Sequence, residues 1–239
     1  MTSLAGLISA EFRDLVMISH EVDPLLLVQH VPPGTSLDFH DGRAFVSAVA
    51  FRMLNLAIAG VPVPFHQELA QVNFRFYVWR RVNSDIRRGV VFLREFVPSA
   101  AVTLGARLFF NENYITLPMR HEVVDAEQGW ATYEWQGPTR WNRISSVRRG
   151  APGPATPGSL EEFIKDRPWG YARQRDGTTL EYHVAHPAWD VWPSADSVVD
   201  LDVESAYGRG FETALSRAPA SAFIAVGSRA AVSRGERIE

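Results

Sequence analysis

The sequence predicts an α+β fold built mainly from antiparallel strands with a few helices, and three observations carry that prediction. Fifteen prolines and seventeen glycines are dispersed along the 239 residues, so turns recur throughout the chain. Residues 71–79 alternate apolar and polar side chains with the period of two that belongs to a strand. Residues 115–147 break into three apolar runs separated by turn signals, the pattern of a meander. With 46% hydrophobic and 21% charged residues, the length suits one substantial core, and a single domain over residues 1–239 is expected.

Taken in order, Asp23-Pro24 ahead of LLLVQH starts a helix, with Asp23 as N-cap and Pro24 in the first turn, and Pro32-Pro33-Gly34 ends it. After the turn Asp41-Gly42, residues 43–51 read as a buried strand. In residues 71–79, Val72, Phe74, Phe76 and Val78 form one face, and Gln71, Asn73, Arg75, Tyr77 and Trp79 the other. That second face is polar and aromatic together, which suits either solvent or the wall of a lined cavity. Residues 89–97 form the next strand, and Pro98 opens a helix that runs to about Phe110 before Asn111-Glu112-Asn113-Tyr114. Strands follow at 115–124, 130–136 and 141–147, with turns at 125–129 and Gly137-Pro138. Residues 150–158, rich in proline and glycine, form a loop. Ser159-Leu160-Glu161-Glu162 is a capping box that starts a short helix to about Asp166, which Pro168 stops. Strands at 169–174 and 179–186 flank Asp176-Gly177. Further apolar stretches lie at 198–203 and 222–226, residues 204–215 are weakly helical, and the charged tail after Ser233 is expected to fray.

Composition also excludes several functions. A net charge of −3 gives no attraction to a polyanion, so nucleic acid is not an expected partner. The absence of cysteine removes disulfides, thiolate metal sites and cysteine nucleophiles. Glu11 and Asp14 interrupt the apolar start, so neither a signal peptide nor a membrane span is expected, and the location expected is cytoplasmic. Of 24 basic residues only Lys165 is a lysine. Arginine stays protonated, so any imine would have to form at Lys165 or the N-terminus. No Gly-x-Ser-x-Gly elbow or phosphate-binding glycine loop occurs. His183 and His186 lie three apart on a strand and so face opposite sides; no metal and no cofactor are expected.

Several segments in order carry a family resemblance: HDGRAFVSAVAFRM, QVNFRFYVW, RRGVVFLREFVP, GARLFFNENYITLPMRH, SLEEFIKDRPWGYARQRDGTTLEYHVAHPAW, AYGRGF and PASAFIAVGS. Together they resemble an uncharacterised bacterial family within the acetoacetate-decarboxylase-like superfamily, over about residues 10 to 233. The resemblance implies an antiparallel sheet closed into a cone-like β-barrel around an apolar cavity, with helices outside and a homo-oligomer, a dimer by analogy. In the decarboxylases a lysine forms an imine with a β-keto acid; the matching segment here places Asn113 and Tyr114 where that lysine pair would fall. A glutamate of the decarboxylases corresponds to a position near Gln71, with Glu68 close by. Lys165 is expected on a short surface helix away from this segment.

The expected site therefore has no Schiff-base lysine. Glu95, Arg107, Glu112 and Tyr114 are the candidate catalytic residues, because a desolvated glutamate beside a phenol or guanidinium can move protons. Asn73, Arg75, Asn113 and His121 are the candidate ligand-binding residues, with Arg75 suited to gripping an anionic head group bidentately. The expected partner is a small apolar or carboxylate- or carbonyl-bearing molecule. The alternative is a lysine-independent enzyme, of decarboxylase, isomerase or lyase type, acting on a β-keto or related carbonyl compound.

Overall fold

The computed structural model describes residues 6–126 and 128–238. Its strands are β1 (Ile8–Val22), β2 (Ser36–Leu37), β3 (Ala44–Ile58), β4 (Val61–Pro62), β5 (Glu68–Val82), β6 (Asp85–Val97), β7 (Tyr114–Thr116), β8 (Met119–Val123), β9 (Trp130–Gln136), β10 (Trp141–Arg148), β11 (Trp169–Arg173), β12 (Thr179–Ala185), β13 (Val191–Asp200), β14 (Ser221–Val232) and β15 (Glu236–Ile238). The helices are short: α1 (Leu25–Val28), α2 (Ala100–Phe109), α3 (Leu160–Lys165), α4 (Val203–Tyr207) and α5 (Glu212–Leu215). The fold is thus mostly sheet. No helix among the described residues is long and apolar enough to cross a membrane.

The strand pairings close on themselves. The order β12-β11-β6-β5-β3-β1-β14 returns to β12 through Val184↔Val232 and Ala185↔Ala231. From β14 a second arm continues through β13, β10, β9 and β8 and folds over the outside of β5. Two apolar layers result, one on each face of the same strands. Outside, Val72, Phe74, Phe76 and Val78 pack with Tyr133, Trp135 and Tyr207, and the Phe74 ring lies 4.8 Å from that of Tyr207. Inside, Val49, Phe51, Met53, Leu69 and Trp189 form a separate cluster. The expected alternation in residues 71–79 is present, but both faces are largely covered, with only Arg75 and Trp79 partly exposed.

The structure differs from the sequence reading in three places. The fifteen-residue β1 was not anticipated, because a bulge at Asp14, whose φ is 54°, shifts the register between Arg13 and Val16 and breaks the period of two. Opposite it, Gly227 has φ 80°, and a Cβ there would lie 2.0 Å from the Phe12 carbonyl oxygen, so only glycine allows the approach. Residues 115–124 are not one meander strand: β7 pairs in parallel with β6, and only β8 joins the antiparallel meander. The tail expected to fray instead adds β15 to the edge of β12. The predicted turn at 125–129 includes residue 127, which lies outside the described residues.

Candidate functional site

On the inner side of the ring, α2 and the end of α3 enclose a cavity of about 310 Å³. Its walls are mainly apolar, with Val49, Phe51 and Met53 from β3, Val90 and Phe92 from β6, and Trp189. Against this background stands a row of polar side chains. β5 contributes Gln71, Asn73 and Arg75 at every second position, β6 contributes Glu95, and the segment after α2 contributes Glu112 and Tyr114. A bulge between Phe74 and Arg75 adjusts the last of these positions.

At one end Glu95 and Glu112 are both buried, with no cation bonded to either among the described residues. Gln71 Nε2 donates to Glu95 Oε1 at 3.0 Å and lies 2.9 Å from the Tyr114 hydroxyl. The Tyr182 hydroxyl donates to Glu112 Oε1 at 2.7 Å. Burial, reinforced by the neighbouring Glu112, holds the Glu95 carboxyl well above the ordinary carboxylate range. Burial likewise pushes Glu112 up to about 8. The phenols of Tyr114 and Tyr182 are raised for the same reason. This end therefore stores protons at neutral pH. Glycine permits the geometry: a Cβ on Gly170 would meet the Tyr182 ring at 2.2 Å and displace it from Glu112.

The other end is cationic. Arg75 Nη2 donates to the Ile164 carbonyl at 3.0 Å, and its guanidinium has no carboxylate partner among the described residues. Lys165, Arg167 and His186 line the same end. Lys165 corrects the sequence expectation, since its side chain is only 5% exposed and faces the cavity wall rather than the surface. Its Nζ donates to Asp166 at 2.6 Å. The capping box does form, with Ser159 Oγ accepting from the Glu162 amide, but six helical residues carry no periodicity to say which way the last one points. Arg167 is bound by Asp38. His186 stacks on Trp189 with ring centroids 3.8 Å apart, and burial lowers its pKa.

Among the described residues, four polar atoms of side chains that line the cavity are buried without a partner: Gln71 Oε1, Asn73 Oδ1, Arg75 Nε and Glu95 Oε2. Of the eight residues proposed from sequence, Glu95, Glu112, Tyr114, Asn73 and Arg75 thus share one cavity. The other three do not line it. Arg107 lies on the exposed side of α2 and donates Nε to the Tyr114 carbonyl at 2.9 Å, so it orients Tyr114 from outside. Asn113 donates to the Leu93 carbonyl and ties the chain to β6. His121 pairs with Glu68 on the meander side. Gln71, Lys165, Arg167, Tyr182 and His186 are polar cavity residues absent from the set proposed from sequence. The signal for Lys165 was its being the sole lysine. The N-terminal amine, the other imine candidate, lies outside the described residues.

The model of the DUF2071 family, described as an uncharacterized conserved protein, matches residues 9–229. The chain belongs to the DUF2071 family. A relative is the uncharacterized protein YqjF of Bacillus subtilis, 29% identical over 112 residues; the match spans 46% of this chain and 45% of that protein. Solved structures carry the fold further. Acetoacetate decarboxylase from Legionella pneumophila superposes with a TM-score of 0.68 at 12% identity, over 98% of this chain and 88% of that one. An acetoacetate decarboxylase-like enzyme from Sphingomonas wittichii gives 0.68 at 13%, over 100% and 96%. The enduracididine biosynthesis enzyme MppR complexed with pyruvate gives 0.65 at 12%, over 100% and 93%. This DUF2071 chain therefore has an acetoacetate-decarboxylase-like fold; at these identities the likeness concerns the fold alone.

Proposed function

We propose that this chain binds a small, mainly apolar molecule with a carboxylate or carbonyl group inside its cavity, the ring of strands acting as a cone-like barrel around it. The observation that supports this reading is the row of four unpartnered polar atoms on an otherwise apolar wall. Leaving a buried polar atom unpaired costs about 1–3 kcal/mol, so a wall that carries four is built for a partner that arrives later. The fold neighbours are consistent with this, one of them having been crystallised with pyruvate.

The test is thermal unfolding of the purified chain with hexanoate, decanoate, decanol and decanone. At least one compound should raise Tm in a concentration-dependent way, as ligand linkage requires. If none does, or if Val49→Phe, which narrows the cavity, leaves the shift intact, the cavity is not the binding site.

A second reading is an enzyme that enolises a carbonyl compound without an imine. The paired, proton-holding Glu95 and Glu112 beside Tyr114 favour it, since carboxyl groups with raised pKa serve as general acids near neutral pH. Exchange of α-protons of a bound ketone in deuterated water, followed by NMR, should then be lost in Glu95→Gln. Absence of exchange with a compound that binds leaves only the binding function.

A further inference from the structure

We infer that the cavity accepts its ligand in one orientation, with a carboxylate at the Arg75–Lys165 end and an uncharged oxygen at the Gln71–Glu95–Tyr114 end. This rests on the binding reading above and adds to it a ligand class: an acid with an apolar body whose second oxygen is a hydroxyl or carbonyl several carbons away. The ends differ in what their side chains already hold. At the cationic end, Arg75 donates only to a carbonyl and a thioether, and its Nε is unpartnered. Lys165 is buried beside it, and its one acid partner, Asp166, is nearly half exposed. Arg167 is already committed to Asp38, which also holds Arg88. One uncompensated guanidinium and one half-compensated ammonium thus face an apolar space, where a carboxylate would be bound with charge-assisted hydrogen bonds.

The opposite end disfavours the same group. Glu95 and Glu112 stand there with amide and phenol neighbours and no cation among the described residues, so a ligand carboxylate at that end would be buried without a counter-charge. An uncharged oxygen carries no charge to compensate there, and the unpartnered Glu95 Oε2 and Gln71 Oε1 are the atoms it would pair with. Spacing sets the distance between the two functions. Gln71 and Arg75 are four residues apart on β5, about 13 Å along the strand, with Asn73 between them. The oxygens of a β-keto acid, separated by a single carbon between two carbonyl groups, are too close to reach both ends.

Isothermal titration of the full chain at neutral pH with four ten-carbon probes tests this: decanoate, ω-hydroxydecanoate, decanol and sebacate, the dicarboxylate. Decanoate should bind more tightly than decanol, ω-hydroxydecanoate at least as tightly as decanoate, and sebacate more weakly than ω-hydroxydecanoate. Arg75→Met and Lys165→Met should each weaken decanoate by roughly tenfold or more beyond any change for decanol, the size expected for a lost charged hydrogen bond. Decanol binding as tightly as decanoate, or sebacate matching ω-hydroxydecanoate, overturns the orientation while leaving the cavity reading standing. Failure of all four to bind overturns both. The wild-type comparison of sebacate with ω-hydroxydecanoate stays decisive even if a variant does not fold.

Discussion

The cavity wall on β5 and the ionic cluster around Asp14 both bury polar groups on the strands of the ring, and they satisfy them in opposite ways. Asp14 Oδ2 accepts from Arg52 at 2.6 Å, and Oδ1 accepts from Arg148 at 2.8 Å. Arg52 reaches on to Glu68 and Arg148 to Asp125. The Tyr133 hydroxyl donates to the Asp14 carbonyl, so the meander is fastened to β1 at the bulge. Among the described residues, Arg148 Nε is the one buried side-chain atom of this cluster without a partner. On the cavity wall, three adjacent inward positions of β5 each carry an unpartnered atom. Paired charge is what holds two layers together. Unpaired polarity in an apolar space has no such use; under the proposed function a bound molecule completes those bonds.

The sharpest way to break this contrast is Asp14→Asn. It keeps a residue that tolerates φ 54° but removes the charge that pairs the buried Arg148 and the partly exposed Arg52, and should cost about 3 kcal/mol in urea unfolding. Decanoate affinity of the folded protein should not change; a parallel loss would mean that the two clusters act as one. Next comes Gly170→Ala, which drives Tyr182 from Glu112 and should cost about 1–3 kcal/mol by overpacking, read as a lower Tm.

A pH effect follows in size. Glu112 is raised in the fold to about 8 from 4.5, so the folded state holds more protons than the unfolded chain between those values. Stability is then greatest below the unfolded pKa, falls as pH rises, and levels off above the folded one, by up to about 1.4 kcal/mol per pH unit for each such carboxyl. His20, His30, His183 and His186 have lowered pKa values, so they are neutral in both states above their ordinary value of 6.5 and do not mask the slope there. Between about pH 7 and pH 8, Glu112→Gln should reduce the fall in unfolding free energy by about 1 kcal/mol. An unchanged slope would place the stored protons elsewhere. Smallest of all, His121→Gln removes a partly exposed pair with Glu68 and should cost under about 1 kcal/mol in the same urea assay.

The sequence carried the strand-rich class because alternation survives wherever strands are regular, as in residues 71–79. It did not carry β1, where the Asp14 bulge inverts the pattern, nor the parallel pairing of β7, which depends on a helix bringing the chain back along β6. Glu95, Glu112, Tyr114, Asn73 and Arg75 were legible as polar residues set among apolar strands. Arg107 and His121 have the same local look, and only the third dimension separates them. Lys165 was hidden by the shortness of α3, since a single turn and a half exposes no stripe by which its buried side could be told.

The segment that carries α2 departs from β6 after Val97 and comes back to lie against the same strand, with Tyr114 beside Glu95 and Thr116 beside Val97. Like a handle riveted at both ends, the helix cannot swing open about one hinge without stripping β7 from β6 and pulling Tyr114 away from the proton-holding end. Under the proposed function, a ligand passing beneath it would rely on side-chain motion rather than on a hinged lid, and its exchange should be slow compared with the flexing of an ordinary loop.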